Sequence, residues 1–143
     1  MRIVYTGGSF DVFHAGHADF LYQCKKIAGP DGKVVVALNS DEFVARFKSQ
    51  PTCTYEERRR VLEACRYVDE VVENVGNEDS TKTIESLVCR PNFLVIGDDW
   101  ANRDYYKQMN FTPEWLAERD ISLLYVPRHR HLSSTDIKQR ILK

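Results

Sequence analysis

Lys33-Val34-Val35-Val36-Ala37-Leu38 is apolar at every position after the first and rich in β-branched valine. A strand with one wet face alternates polar and apolar residues, whereas a continuous apolar run belongs to a strand covered on both sides. Such strands occur chiefly in parallel sheets, where each connection is a crossover helix lying on one face. The run therefore demands helices before and after it, and the flanking sequence has the signals for them. Arg2–Thr6 reads as an earlier buried strand, ended by a Gly7-Gly8 turn. From His14 onward Phe13, Phe20, Leu21, Cys24, Ile27 and Ala28 recur at helical spacing, until Gly29-Pro30-Asp31-Gly32 stops the helix.

The same alternation continues to the end of the chain. Ser40-Asp41-Glu42 opens one helix, with acids near the positive end of its dipole. Thr54-Tyr55-Glu56-Glu57 opens another with a capping box, and Val61, Leu62 and Cys65 are expected to point inward from it. Val68–Val72 and Phe93–Ile96 read as strands on either side of a helix around Thr81–Val88. Residues 112–119 form a helix with Pro113 at its first position, followed by a fifth strand, Ile121–Val126, and a terminal helix, Ser133–Leu142. No repeat or linker interrupts the pattern. The expectation is an α/β fold: a single Rossmann-like domain over residues 1–143, a five-stranded parallel sheet with helices on both faces.

Composition narrows the classes of function. The 143 residues carry 20 Lys+Arg against 21 Asp+Glu, a formal charge of −1, which argues against a dedicated nucleic-acid binder. No signal-peptide pattern follows Met1, and apolar stretches such as Val34 to Leu38 fall far below the roughly 18 residues needed to span a bilayer. A soluble, cytoplasmic protein with no membrane partner is expected. Cys24, Cys53, Cys65 and Cys89 form no C-x-x-C pair, and Cys24 and Cys65 read as buried free thiols.

Open parallel sheets bind ligands beyond the carboxyl ends of their strands. That rule selects the segments Gly7–His17, Asn39–Lys48, Gly97–Trp100 and Pro127–Thr135. In the first, His14 and His17 stand three apart at a helix start and so share a face, with Gly16 between them leaving room for close approach. Imidazoles beside the exposed N–H groups of a helix N-terminus suit a phosphate. Two ordinary helix-start histidines, or half of a zinc site, fit the spacing as well, although zinc prefers three or four ligands. Ser133 with Asp136 in the next turn reads by itself as a helix cap, and Arg58-Arg59-Arg60 as a solvated helix face.

Taken together these segments resemble a known family. Gly8-Ser9-Phe10-Asp11 followed by His14-Ala15-Gly16-His17 is similar to the GxFDxxHxGH signature of the nucleotidyltransferases that include the cytidylyltransferases, and Leu132-Ser133-Ser134-Thr135-Asp136-Ile137-Lys138 resembles their ISSTxIK motif. Tyr55-Glu56-Glu57-Arg58, Arg66-Tyr67-Val68-Asp69-Glu70-Val71 and Gly97-Asp98-Asp99-Trp100 narrow the likeness toward glycerol-3-phosphate cytidylyltransferases. The resemblance runs in order along essentially the whole chain.

It implies attack by a phosphate monoester on the α-phosphorus of a nucleoside triphosphate, chemistry governed by positioning and charge stabilisation. His14 and His17 would donate to the phosphates, Ser133, Ser134 and Thr135 would receive the β- and γ-phosphates, and Lys48 would bridge the reacting groups. Ser9, Phe10, Asp11 and Gly16 would form the nucleotide-binding turn, with Asp98 and Trp100 shaping the base pocket and Arg128 adding charge. Arg58 and Arg66 would hold the acceptor phosphate. Mg2+ is expected with the triphosphate, with Asp11 as a direct or indirect contact. The implied substrates are CTP and a small phosphorylated polyol, and homodimers are common in the family.

The likeness weakens where the family's RTEGIS is Arg128-His129-Arg130-His131-Leu132-Ser133, which exchanges an acid and a glycine for positive charge. The Asn102–Arg119 segment, with Tyr105, Tyr106, Phe111 and Trp115, is also long, and suits a lid, a subunit contact or a plain packed helix. An adenylyltransferase of the same superfamily, acting on a cofactor or sugar phosphate, is the alternative reading. A non-catalytic nucleotide- or metal-binding module is the remote one.

Overall fold

The computed structural model describes residues 1–47, 50–97, 110–127 and 132–143. Five strands, β1 (Ile3–Gly8), β2 (Lys33–Leu38), β3 (Glu70–Glu73), β4 (Phe93–Gly97) and β5 (Ser122–Val126), form one sheet in the order β3-β2-β1-β4-β5. Every pairing is parallel. The helices of the described residues are α1 (Ala15–Ala28), α2 (Asp41–Phe47), α3 (Tyr55–Ala64), α4 (Ser80–Glu85), α5 (Pro113–Glu118) and α6 (Ser134–Leu142). The chain builds outward from β1 to β3, then returns to place β4 on the other side of β1. Strand order thus reverses between β1 and β4, where a parallel sheet leaves a crevice.

The apolar run that suggested this architecture is the sheet's second strand, and Val34 through Leu38 are all buried. Alternate residues serve opposite faces. Val34, Val36 and Leu38 pack with Leu21 and Cys24 of α1 and Leu62 of α3, while Ala37 joins Tyr5, Leu94, Ile96, Ile84 and Leu116 on the side of α4 and α5. Helices therefore cover both faces, as the absence of alternation requires. Burial pushes the Cys24 thiol up to about 12, leaving it protonated and inert. All four cysteines are free, with Cys65 half-buried at the end of α3. Among the described residues, no helix is long and apolar enough to cross a membrane.

Local signals hold at the helix starts. Thr54 and Glu57 bond reciprocally as a capping box, Thr112 caps α5 with Pro113 in its first turn, and Ser133 caps α6 with Asp136. Three expectations are corrected. β1 runs on through Gly7 and Gly8, which pair with Ala37 and Leu38, so the turn comes later. A Cβ on Gly8 would stand 2.9 Å from the Phe10 ring, and the glycine is needed for that contact. β3 begins at Glu70 because the Asp69 carboxylate turns back to accept from Val34 N at 2.8 Å and the residues before it form a turn. Val61 points outward, 45% exposed, and Leu62 alone of the expected trio is fully buried.

Gly32, between α1 and β2, is closely hemmed in by backbone: a Cβ there would lie 2.1 Å from the Ala28 carbonyl oxygen and 2.7 Å from that of Arg2. Both obstacles are backbone, so neither side can yield by a rotamer change. Gly32→Ala is expected to destabilise the fold by about 1–3 kcal/mol, the usual cost of forced overpacking. A lowered denaturant midpoint with unchanged slope is the measurement that checks it.

Candidate active site

The segment leaving β1 is strained. Phe10 and Val12 take φ of 48° and 49°, the left-handed region that a bulky or β-branched residue avoids. Each such residue costs on the order of 1–3 kcal/mol and persists only where its surroundings hold it. Packing accounts for Phe10: its side chain is turned inward, and its ring lies 5.2 Å from the His17 ring. Phe10 therefore belongs to the expected turn as a support beneath it, and Phe13 flanks the same imidazole at 5.4 Å.

His14 and His17 cap α1 themselves. His14 Nδ1 accepts from Gly16 N at 3.0 Å, and His17 Nδ1 accepts from His14 N at 3.3 Å, a capping box built from two imidazoles. Their rings stack with centroids 3.8 Å apart. An accepting Nδ1 leaves the proton of a neutral imidazole on Nε2. Both histidines are thereby set in the same tautomer, each with Nε2–H as its donor. Gly16 is required by this packing, since a Cβ would lie 2.9 Å from the His14 ring and 3.3 Å from the Leu132 carbonyl oxygen.

That last contact brings in the far end of the chain. The start of α6 sits against the start of α1, and the Ser134 hydroxyl donates to the Asp11 carbonyl. Two helix N-termini thus meet at the ends of the strands, a natural place for anionic groups. Ser133 works as a cap: its hydroxyl serves Asp136 N at 3.1 Å. Thr135 lies exposed in the first turn.

Arg58 is placed otherwise than as a substrate ligand. It is 2% exposed, and its guanidinium donates to the carbonyls of Ser9 (2.8 Å), Asn39 (2.9 Å) and Cys53 (3.1 Å) and to Asp41 Oδ1 (2.6 Å). These partners belong to the segments leaving β1 and β2 and to the starts of α2 and α3. The expectation that Arg58 receives an acceptor phosphate is corrected: its fork is spent inside the protein. Arg66 is corrected as well. It is exposed in the turn after α3, and Asp69 close behind it meets the first residues of β2. A helix crossing back along the sheet carries Arg66 toward the end where the strands begin, so it does not converge with the histidines.

Asp11 is a junction rather than an open carboxylate. Oδ2 accepts from Thr52 N at 2.9 Å and from Lys138 Nζ at 3.1 Å, and Oδ1 accepts from Cys53 N at 2.9 Å. Desolvation alone would raise its pKa, but the Cys53 and Thr52 N–H groups and Lys138 outweigh it and hold the carboxyl below its ordinary value. Direct metal ligation by Asp11 does not fit, because both oxygens are engaged and one already faces an ammonium. Among the described residues, no group of three or more His, Cys, Asp or Glu is arranged to hold a metal ion.

Sequence reasoning missed several supporting residues. Asn39 donates to Ser9 Oγ at 3.1 Å, Asn74 donates to Asn39 Oδ1 at 2.8 Å, and Thr83 donates to Asn74 Oδ1 at 2.7 Å. This chain, buried at its Asn74–Thr83 end, ties the first loop to α4 across the ends of β1, β2 and β3. Asn39 is legible in hindsight as the first polar residue after the apolar run; Asn74 and Thr83 carry no local signal. Lys138 stands four residues after Ser134, on the same face of α6. Lys48, Asp98, Trp100 and Arg128 lie outside the described residues, as do Asp99, His129, Arg130, His131, Tyr105 and Tyr106.

Strand order, crevice and paired helix starts define a nucleotide-binding α/β domain of the Rossmann-like class. The chain belongs to the cytidylyltransferase-like family, which matches residues 5–140. It is 32% identical over 142 residues to the glycerol-3-phosphate cytidylyltransferase of Bacillus subtilis (strain 168), covering 99% of this chain and 98% of that one. It is 31% identical over 146 residues to the FAD synthase of Korarchaeum cryptofilum (strain OPF8), covering 99% and 92%. A solved structure described as a lipopolysaccharide core biosynthesis protein from Thermoplasma volcanium GSS1 shares the fold, with a TM-score of 0.70 at 21% identity over 92% of this chain and 99% of that one. Family membership supports nucleotidyl transfer as the chemistry of the chain.

Two outcomes follow from the buried contacts. Arg58→Met leaves three carbonyls and Asp41 without their donor, and is expected to cost about 2–4 kcal/mol in unfolding free energy with no ligand present. Unchanged stability would return Arg58 to the list of substrate ligands. Asp11, with its folded pKa depressed, contributes stability that is complete above the unfolded value of about 3.9 and is lost as pH falls toward the folded value. Asp11→Asn should therefore be less stable at neutral pH and show a shallower loss of stability below about pH 4.

Proposed function

We propose that this protein is a cytidylyltransferase that transfers CMP from CTP to a small phosphate monoester, glycerol 3-phosphate foremost. An oxygen of the acceptor phosphate attacks the α-phosphorus, the bond from that phosphorus to its bridging oxygen breaks, and pyrophosphate leaves. The product with glycerol 3-phosphate is CDP-glycerol. The observation that carries the reading is the pair of stacked histidines, locked by their own helix cap with Nε2–H as donor, beside the N-terminus of α6. Donors fixed in advance stabilise charge that grows in displacement without reorganising at the moment of reaction. The backbone N–H groups at the start of α6 suit the β- and γ-phosphates.

Lys48, Asp98, Trp100 and Arg128 complete this reading as the bridging lysine, the base pocket and a further phosphate contact. Mg2+ enters as part of the substrate, carried on the triphosphate oxygens, where it offsets their charge. The engaged Asp11 carboxylate fits such an ion better than one held by the protein.

A second reading has its own support in the likeness to an FAD synthase. FAD is flavin mononucleotide joined to AMP, so that reaction is adenylyl transfer to another phosphate monoester. The replacement of T-E-G by His129-Arg130-His131 favours an acceptor or nucleotide unlike that of the glycerol 3-phosphate enzymes.

Pyrophosphate release from CTP and from ATP, each offered glycerol 3-phosphate, flavin mononucleotide and sugar phosphates, separates the two. Turnover with CTP and glycerol 3-phosphate is expected; turnover with ATP alone overturns the cytidylyl assignment. His14→Asn keeps a side chain that caps a helix well and removes the Nε2 donor. It should lower kcat by about 10²–10³ while the unfolding transition stays cooperative. Wild-type turnover in that variant would remove His14 from the catalytic group.

A further inference from the structure

Helix α6 brings the Ser133-Ser134-Thr135 start to the histidines, yet none of its residues is buried. Among the described residues, the side-chain hydrogen bonds that join α6 to the rest of the chain both reach Asp11. Ser134 Oγ donates to the Asp11 carbonyl, and Lys138 Nζ, one turn further along the same face, meets Asp11 Oδ2 at 3.1 Å. Asp11 in turn sits between the two left-handed residues Phe10 and Val12 and holds Thr52 N and Cys53 N through its carboxylate. Its side chain is 11% exposed and that of Lys138 is 38% exposed, so the pair is partly shielded from water. A strained turn, the loop before α3 and the first turns of α6 are therefore fastened at one residue, Asp11, through its carbonyl and its carboxylate, and Lys138 is the only cationic partner of that carboxylate among the described residues.

We infer that Lys138 is a positioning residue for the site: by holding the Asp11 carboxylate it keeps the start of α6 in register with the His14–His17 turn and steadies the Thr52-Cys53 loop. The ammonium acts on the triphosphate only through this register. The kinetic half of the inference rests on the nucleotidyl-transfer reading; the structural half does not. Loss of Lys138 loosens the seat of the phosphate-facing helix start but leaves the histidine donors in place. Binding of the nucleotide should suffer and the chemical step should not.

The test compares Lys138→Met, Lys138→Arg, Asp11→Asn and the Asp11→Asn/Lys138→Met double variant. Without any nucleotide, Lys138→Met should speed amide exchange at Thr52 and Cys53 by about tenfold, the worth of one hydrogen bond to a charged group. In turnover, Lys138→Met should raise KM for the triphosphate about tenfold with kcat changed less than about threefold, and Lys138→Arg should recover most of the loss. The double variant should be no worse than Asp11→Asn alone, because the two side chains act as one unit. Unaltered exchange at Thr52 and Cys53 overturns the inference whatever the activity. A further rise in KM when Lys138→Met is added to Asp11→Asn also overturns it, since the lysine would then touch the nucleotide itself. Absence of turnover with every substrate pair sinks the proposed function, while the exchange result still decides the role of Lys138.

Discussion

The Arg58 guanidinium is the contact on which the arrangement of the site depends. Strands of a parallel sheet end with carbonyls and N–H groups that lose their ladder partners as the chain turns away, and buried polar groups left alone are costly. Arg58 answers that demand for three segments at once, donating to Ser9, Asn39 and Cys53, and closes on Asp41 at the start of α2. A planar fork spreads its donors over three nitrogens and so reaches acceptors that stand well apart, whereas the three donors of a lysine all spring from one atom. The same burial that makes Arg58 effective here removes it from the surface where a substrate would meet it.

A second layer rests on this clamp. With Ser9 and Asn39 held by their carbonyls, their side chains are left to bond each other, and Asn74 and Thr83 extend that chain toward α4. The loop after Ser9 can then take the left-handed turns at Phe10 and Val12 that no free peptide would favour. These turns place Asp11 where three segments converge and deliver His14 to α1 as its cap. The strain lies where chemistry would act and its supports lie outside, which is the arrangement expected of a site held ready rather than formed on binding.

The sequence made the scaffold legible because periodicity and caps are local. The Lys33–Leu38 run implied coverage on both faces, and Thr54, Thr112 and Ser133 marked helix starts without knowledge of the rest. Boundaries failed where tertiary contacts decide them: Gly7-Gly8 looks like a turn, but stays in the sheet so that Phe10 can lie against it. Residue roles were legible in type and misread in place for the same reason. Arg58 and Arg66 share a helical spacing, yet one end of α3 faces the strand carboxyl ends and the other faces away. Spacing along a helix says which face a residue shares, not which end of the sheet it reaches.

The overlap of cap and donor in His14 and His17 bears on why glycine separates them. In an ordinary capping box the side chains are consumed by backbone bonds, as Thr54 is. An imidazole has two nitrogens on opposite sides of one rigid ring, so it can satisfy the helix with Nδ1 and still present Nε2–H. The stacked rings take up the space above the intervening residue, and the Leu132 carbonyl approaches from α6. A side chain at Gly16 would push apart the two helix starts that the rest of the fold brings together. The H-x-G-H spacing is thus one packing solution in which helix nucleation, fixed tautomers and close approach of α6 are satisfied by four consecutive residues.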